Sequence, residues 1–474
     1  MDTTGTAAGE AALERLDGDA VERFVAGIHG EVVRPSAPEY EEARAIWNGT
    51  VDRHPALIVR CSGTADVVEA VGFARENDLP LAVRGGGHNV AGTAMCDGGV
   101  VVDLSAMNGV IVDPDARRAW VQGGATIGDV DRETQLHGLA VPLGVVSETG
   151  VAGLTLSGGV GHLRREHGLS LDSLVAAEVV TADGEVLTAD TETNADLFWA
   201  LRGGGGNFGV VTTFEYRLHE VGPEVPTLFV WHPAAAAVDA LRAFRTFAAT
   251  APRAASVVAF AAVVPELDEF PETAWGSLAV AFLGCYDGSA ADADAAFAPI
   301  REAAEPVADL SGTMAYTDLQ TLLDEDYPDG RNYYWKSTYV DELTDEVVEV
   351  VARAGETMPS ALSTVDLWHL GGAIDDVAPE ATAYPHRGRP YMLTFEANWE
   401  DDADTEANVA WVREGIADAR ATGVASGAYG NFPGAGEETG APLFGENYER
   451  LVRVKRRYDP ANLFRLNQNV DPTD

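Results

Sequence analysis

The chain has 474 residues, 46% hydrophobic and 8% aromatic, which is enough for large packed cores and points to more than one domain. Seventy-five acidic residues oppose 32 basic ones, for a net charge of −43. The acids are dispersed, which excludes an acidic tail, and such a surface repels nucleic acid and anionic lipid, so neither is an expected partner.

In chain order, residues 1 to about 20 are rich in Ala, Gly, Asp and Glu and predict a frayed leader without the basic and apolar regions of a signal peptide. Leu57–Cys61 reads as a strand, Thr64–Asn77 as an amphipathic helix capped by Thr64, and Leu81–Val83 as a second strand. Directly after it stands Arg84-Gly-Gly-Gly-His-Asn89. Three consecutive glycines permit left-handed angles and let a ligand approach the backbone. Their N–H groups can form a nest for an anion such as a pyrophosphate, with His88 as a nucleophile at its lip. A tight turn with an incidental histidine is the competing reading. The Rossmann fingerprint fails, because the glycines are contiguous and strands rather than a long helix follow.

Strands are expected at Val100–Leu104, Gly109–Val112 and Arg118–Val121, a helix over Ala125–His137, and further strands at Leu174–Thr181 and Val210–Phe214. Glycine clusters punctuate Thr149–Gly153, Ser157–Gly161 and Gly203–Gly206. Pro223 and Pro226 mark a change to an alanine-rich region. Its strands (Leu278–Phe282, Tyr391–Phe395) and helices (Asp239–Ala249, Asp345–Ala354) predict a second domain built on an antiparallel sheet. A helix over Tyr448–Tyr458, ended by Asp459-Pro460, closes the chain. The expected division is 1–222 (core about 50–221), 223–425 and 426–474. Cys61, Cys96 and Cys285 have no zinc or redox spacing, so neither a metal site nor a disulfide framework is expected. No apolar run reaches membrane-spanning length, and the expected location is cytoplasmic. Lys336 and Lys455 are the only lysines. Dispersed acidity with depleted lysine suits a halophile cytosol, where salt screens self-repulsion, with ordinary cytoplasm as the alternative.

Seven segments match one family in order and spacing: Arg84–Asn89, Gly123-Gly-Ala-Thr126, Gly150-Val-Ala-Gly-Leu154, Ser157-Gly-Gly-Val-Gly161, Asp196-Leu-Phe-Trp-Ala-Leu-Arg202, Gly203–Thr212 and Tyr458-Asp-Pro-Ala-Asn-Leu-Phe-Arg465. Over residues 40–220 and 425–470 the chain resembles the berberine bridge enzyme-like, FAD-linked oxidases of the vanillyl-alcohol oxidase superfamily, closest to their bacterial branch. The resemblance implies an α+β fold. A two-subdomain PCMH-type FAD-binding domain would be joined to an antiparallel-sheet substrate domain covered by helices.

It also implies FAD bonded covalently to His88, a neutral imidazole adding to an electrophilic flavin methide. Many relatives make a second link through a cysteine at the position held here by Val146, so one link is expected. By the same resemblance Arg84, Gly85, Gly86, Gly87, His88 and Asn89 surround the pyrophosphate. Ser147, Thr149, Gly150, Val151, Gly153 and Leu154 follow the isoalloxazine and diphosphate. Gly158, Gly159 and Gly161 allow close approach, Val211 meets the adenine half, and Asn467 and Asn469 reach the flavin from the tail. For any single glycine a mere turn is the alternative. Thr149 falls at a gatekeeper position, where a small side chain leaves room for oxygen.

The implied reaction dehydrogenates a C–H next to oxygen or nitrogen in a small sugar, alcohol or amine, with oxygen reoxidising the flavin and yielding hydrogen peroxide. It needs a base. The family's usual base is the second tyrosine of Tyr-x-Asn-Tyr, and here the motif reads Tyr429-Gly-Asn-Phe432. Tyr429 is therefore either catalytic or structural. Lys336 is the other candidate, since a desolvated lysine titrates near neutrality, against an ion pair, a substrate-binding role or chance retention. Lys455, among Arg453, Arg456 and Arg457, reads as a surface residue. Tyr334, His369 and Glu396 fall in the segment expected to cover the flavin. A dehydrogenase with another acceptor, or a flavin-binding protein without turnover, are the alternative functions.

Overall fold

Sheets of four, five and nine strands frame the computed structural model, which describes residues 3–437 and 440–474. The N-terminal sheet has the order Glu31–Val33, Leu57–Arg60, Val100–Asp103, Leu81–Arg84. The last three run parallel, and the helix Thr64–Glu76 makes the crossover between two of them. Thr64 does not cap that helix: the cap position is Gly63, and the Thr64 hydroxyl instead donates to Glu178 Oε1 at 2.8 Å. Asp66 takes over the local satisfaction, accepting from the backbone of His29, Gly30 and Ser62.

The expected leader departs most from the sequence reading. Met1 and Asp2 lie outside the described residues, but helices cover Thr3–Leu13 and Gly18–Gly27. Val21 and Phe24 of the second are buried, with Phe24 stacked on Phe73 at 4.2 Å, so an apolar stripe ties the segment down.

The five-stranded antiparallel sheet runs Val110–Asp113, Arg118–Gln122, Val210–Arg217, Leu174–Val180, Val186–Asp190. The nine-stranded sheet has as its central strands Glu224–Pro233, Leu278–Tyr286, Ala255–Val263, Thr364–His369, Tyr391–Trp399 and Asn332–Val340. All of its pairings are antiparallel. The helices Ala237–Ala248, Ala290–Arg301, Asp345–Glu356 and Thr405–Ala421 cover one face, packing Phe244, Val348 and Trp411 with Val365, Leu367, Leu393 and Phe395. Alternation along each strand leaves Trp335, Asp366, Trp368, Met392 and Glu396 on the other face. That face is the far wall of the site. No helix among the described residues is long and apolar enough to cross a membrane.

Candidate active site

The strand Leu81–Arg84 delivers the chain into Gly85, Gly86 and Gly87. Only Gly87 takes a left-handed angle, φ 74°. Gly86 is glycine for a different reason: a Cβ there would stand 2.5 Å from the Cα of Gly150. The two glycine turns touch backbone to backbone, and no side chain fits between them. Their contact brings His88 beside Thr149, with Nδ1 and Oγ1 3.4 Å apart.

The imidazole stacks on Trp47 at 4.6 Å, and its Nε2 is buried without a hydrogen-bond partner. Burial pushes its pKa down to about 4. The ring is therefore neutral near pH 7, the form in which a histidine has a lone pair to give.

His88 and the glycine turns open on a cavity of about 1150 Å³. Thr149, Gly150, Gly153, Leu154, Val211, Asn467 and Gln468 line it on the same side as His88. The uncovered face of the nine-stranded sheet lines it opposite, with Tyr429 and Phe432. Small-ligand pockets usually fall at roughly 300–1,000 Å³, so this cavity has room for a dinucleotide and a second molecule. Among the described residues no group of His, Cys, Asp and Glu is arranged to hold a metal ion.

Two families match the chain: the FAD binding domain over residues 55–190 and the berberine and berberine-like family over residues 428–471. An FAD-linked oxidoreductase of Dictyostelium discoideum is 31% identical over 455 residues, covering 95% of this chain and 97% of its own. The chain belongs to the FAD-linked oxidoreductases.

The crystal structure of 6-hydroxy-D-nicotine oxidase from Arthrobacter nicotinovorans superposes with a TM-score of 0.83 at 31% identity, covering 94% of this chain and 98% of that one. Glucooligosaccharide oxidase from Acremonium strictum, described with a 6-S-cysteinyl, 8α-N1-histidyl FAD, superposes at 0.84 with 25% identity, covering 96% and 99%. This FAD-linked oxidoreductase has the α+β fold the resemblance implied, and its cofactor is FAD.

The residues present fit that cofactor. A glycine cradle no side chain could enter, a buried orphan nitrogen on His88 and a buried orphan Oδ1 on Asn467 all face the same cavity. Asn467 is held by its own amide, which donates to the carbonyls of Gly206 and Phe464 at 3.1 and 3.2 Å. Gln468, which the sequence reading passed over, lines the cavity beside it with an unpartnered Nε2. Its signal was its place between Asn467 and Asn469.

Several expected contacts fall outside the cavity wall. Arg84 turns its guanidinium back onto the Ala43 carbonyl at 3.0 Å and props Gly87. Ser147 is taken by Asp324, its backbone N–H donating at 2.8 Å and its hydroxyl at 2.5 Å. Val151 is packed in the core beneath the five-stranded sheet. Gly158, Gly159 and Gly161 make room for protein rather than ligand, since added Cβ atoms would meet Tyr429, Ser170 and the Leu143 carbonyl. Asn469 has a buried unpartnered Oδ1 but does not line the cavity.

Val146 does line the cavity, whereas no cysteine does among the described residues. All three thiols are buried, and burial pushes those of Cys96 and Cys285 up to about 12.

Lys336 requires the largest correction. Its cross-strand partner is Phe395, which packs under the helices, so strand parity turns Lys336 to the helix side of the sheet. There its ammonium donates to Glu437 Oε2 at 2.9 Å, and Tyr334 donates to the same carboxylate at 2.7 Å. His369 is also on the helix side, bonded to Arg165 at 2.7 Å among Phe244, Phe247 and Tyr391. Lys455 is not on the surface but fully buried. Of Tyr334, His369 and Glu396, it is Glu396 that lines the cavity.

Proposed function

We propose that this enzyme oxidises a small molecule at a C–H next to oxygen or nitrogen, with FAD bonded to the chain at His88 alone. Bound FAD supplies the two-electron acceptor, and oxygen is the acceptor we assign for its reoxidation. The observation that carries the reading is His88 itself, a buried neutral imidazole with an unpartnered nitrogen at the rim of a glycine cradle. Val146 in the cavity wall supplies no thiol for a second bond. Thr149, small and adjacent to His88, leaves the room that oxygen needs.

Relatives named for oxidising a hydroxynicotine and glucooligosaccharides support small amines, alcohols or sugars as substrates. Tyr429 is held as a hydrogen-bond acceptor and is not the base. Its phenol oxygen accepts from the Gly159 N–H and the Asn431 amide, both at 2.9 Å, and burial raises its pKa. We assign residues 1–222 and 426–474 to holding the cofactor and 223–425 to covering the substrate, in an enzyme of a salt-rich cytoplasm.

Acid precipitation of the yellow protein tests the bond. Flavin fluorescence should stay with the denatured wild-type band and drop to background in His88→Ala, whereas complete release of flavin from wild type would overturn the assignment. Anaerobic mixing with sugars, alcohols and amines, followed by air, then tests the reaction and the acceptor.

A further inference from the structure

Two buried carboxyls on the sheet wall have no part in holding FAD. Asp366 and Glu396 sit on neighbouring strands, Thr364–His369 and Tyr391–Trp399, with Asp366 opposite Thr394 and Glu396 opposite Thr364. They are therefore diagonal neighbours on one face, within mutual reach. They are 7% and 3% exposed, and both line the cavity. Among the described residues neither is paired with an arginine or lysine.

Glu396 accepts from the Thr394 hydroxyl at 3.0 Å and the Tyr327 hydroxyl at 3.2 Å. Asp366 Oδ1 has no partner, and the Thr364 hydroxyl beside it makes no hydrogen bond of normal geometry. A second, independent observation comes from indole nitrogens in the same wall. Trp368 Nε1 and Trp231 Nε1 are buried and unpartnered, and both rings line the cavity. The charged form of a buried acid pair is costly unless a cation meets it, and the Phe260 ring, on the cross-strand partner of Asp366, favours that cation.

We propose that Asp366 and Glu396 form an anionic clamp for the protonated nitrogen of an amine substrate whose aromatic body lies on the Phe260 and Trp231 side. The clamp also accepts the ammonium proton. One N–H bond breaks and one carboxyl O–H forms, leaving a neutral amine with a free lone pair. The indole N–H of Trp368 would then donate to an oxygen or nitrogen on that body. The inference names the substrate class of the oxidase reading above and rests on it for turnover, though not for binding.

The test uses the FAD-loaded enzyme and two isosteric probes, phenyltrimethylammonium and tert-butylbenzene, followed by tryptophan fluorescence. The cation should bind at least about tenfold tighter, a preference worth ~1.4 kcal/mol. Asp366→Asn and Glu396→Gln should each weaken the cation and leave the neutral probe unchanged. Wild type supplies an arm that needs no variant. Burial raises both carboxyls and the Asp366 charge raises Glu396 further; the titratable groups facing them are each other and Tyr327, with Glu325, Asp326 and Arg331 elsewhere in the cavity wall. Cation affinity should therefore tighten from about pH 5 to about pH 8, by at most about tenfold per unit for each proton released.

Equal binding of the two probes, or a pH-independent preference, would overturn the clamp. If benzyl alcohol or cellobiose reduces the flavin while the cation does not bind, the amine assignment falls and the oxidase reading stands. If the cation binds as expected while N-methylbenzylamine, benzyl alcohol and cellobiose all leave the flavin oxidised, the oxidase reading falls and the clamp stands.

Discussion

Lys455 has three donors, and the fold gives it three acceptors: Asp459 Oδ2 at 2.7 Å and the carbonyls of Asn207 and Phe464 at 2.8 Å each. It ties the tail to the glycine-rich segment before the strand Val210–Arg217. Arginine, with its planar fork, cannot reproduce that geometry, which explains one lysine retained in an arginine-rich chain. Lys455→Met leaves the buried Asp459 with its backbone donors from Leu463 and Phe464 but without its cation, and should cost about 3–5 kcal/mol, read as a fall in the urea midpoint. An unchanged midpoint would remove the anchor role.

Asp366 makes the opposite kind of prediction. Burial pushes its carboxyl up to about 7, against ~3.9 when unfolded. The folded state keeps the proton longer, so stability present below the unfolded value is lost as pH rises to the folded one. Asp366→Asn should therefore raise Tm more at about pH 8 than at about pH 5.5, by an amount equivalent to about 1–3 kcal/mol. Equal melting shifts at both pH values would contradict this.

His88 was legible in the sequence because the glycines that position it are its chain neighbours. Asp366 was not, since its significance arises from a cross-strand neighbour 30 residues away.

The elements around the cofactor site depend on contacts between turns rather than on the conformation of each turn. Gly86→Ala would drive a Cβ into the backbone of Gly150, which cannot yield, so the enzyme should lose its flavin and its cooperative melt. Gly153 makes the contrast. It lies in the short helix Val151–Leu156, faces the cavity, and an added Cβ meets nothing within 4 Å. Gly153→Ala should leave the fold intact, with up to about 1 kcal/mol gained from helix propensity, while crowding the flavin. The expected signature is a soluble, cooperatively melting protein with reduced flavin content. If its flavin content matches wild type, Gly153 does not face the cofactor.

Helices with one apolar stripe were readable, as Tyr448–Tyr458 and Asp345–Glu356 show. The strand Asn332–Val340 was not. One of its faces meets the helices and the other meets the cavity, so aromatic, charged and hydroxyl residues occupy both and no period-two contrast remains.

At the scale of the whole molecule the net charge of −43 dominates. Both lysines are buried, so every surface cation is an arginine or a histidine. Ion pairs such as Arg353 with Asp418 and Arg253 with Asp376 are exposed and worth little each, leaving most of the repulsion uncompensated. Raising KCl from ~0.1 M to ~1 M shortens the screening length from about 10 Å to about 3 Å, so Tm should climb over that range. A flat or falling Tm would contradict the salt-adapted reading.

What the amino-acid sequence determined by itself is the family and the cofactor. Those depend on glycines, a histidine and a valine whose roles are local, or are carried by short motifs in fixed order. The tertiary structure alone decided the opposite wall. Strand parity removed Lys336 from the cavity and put Glu396 into it, and cross-strand register set Asp366 beside Glu396. Parity and register are properties of paired strands, and a single strand read along the chain has neither.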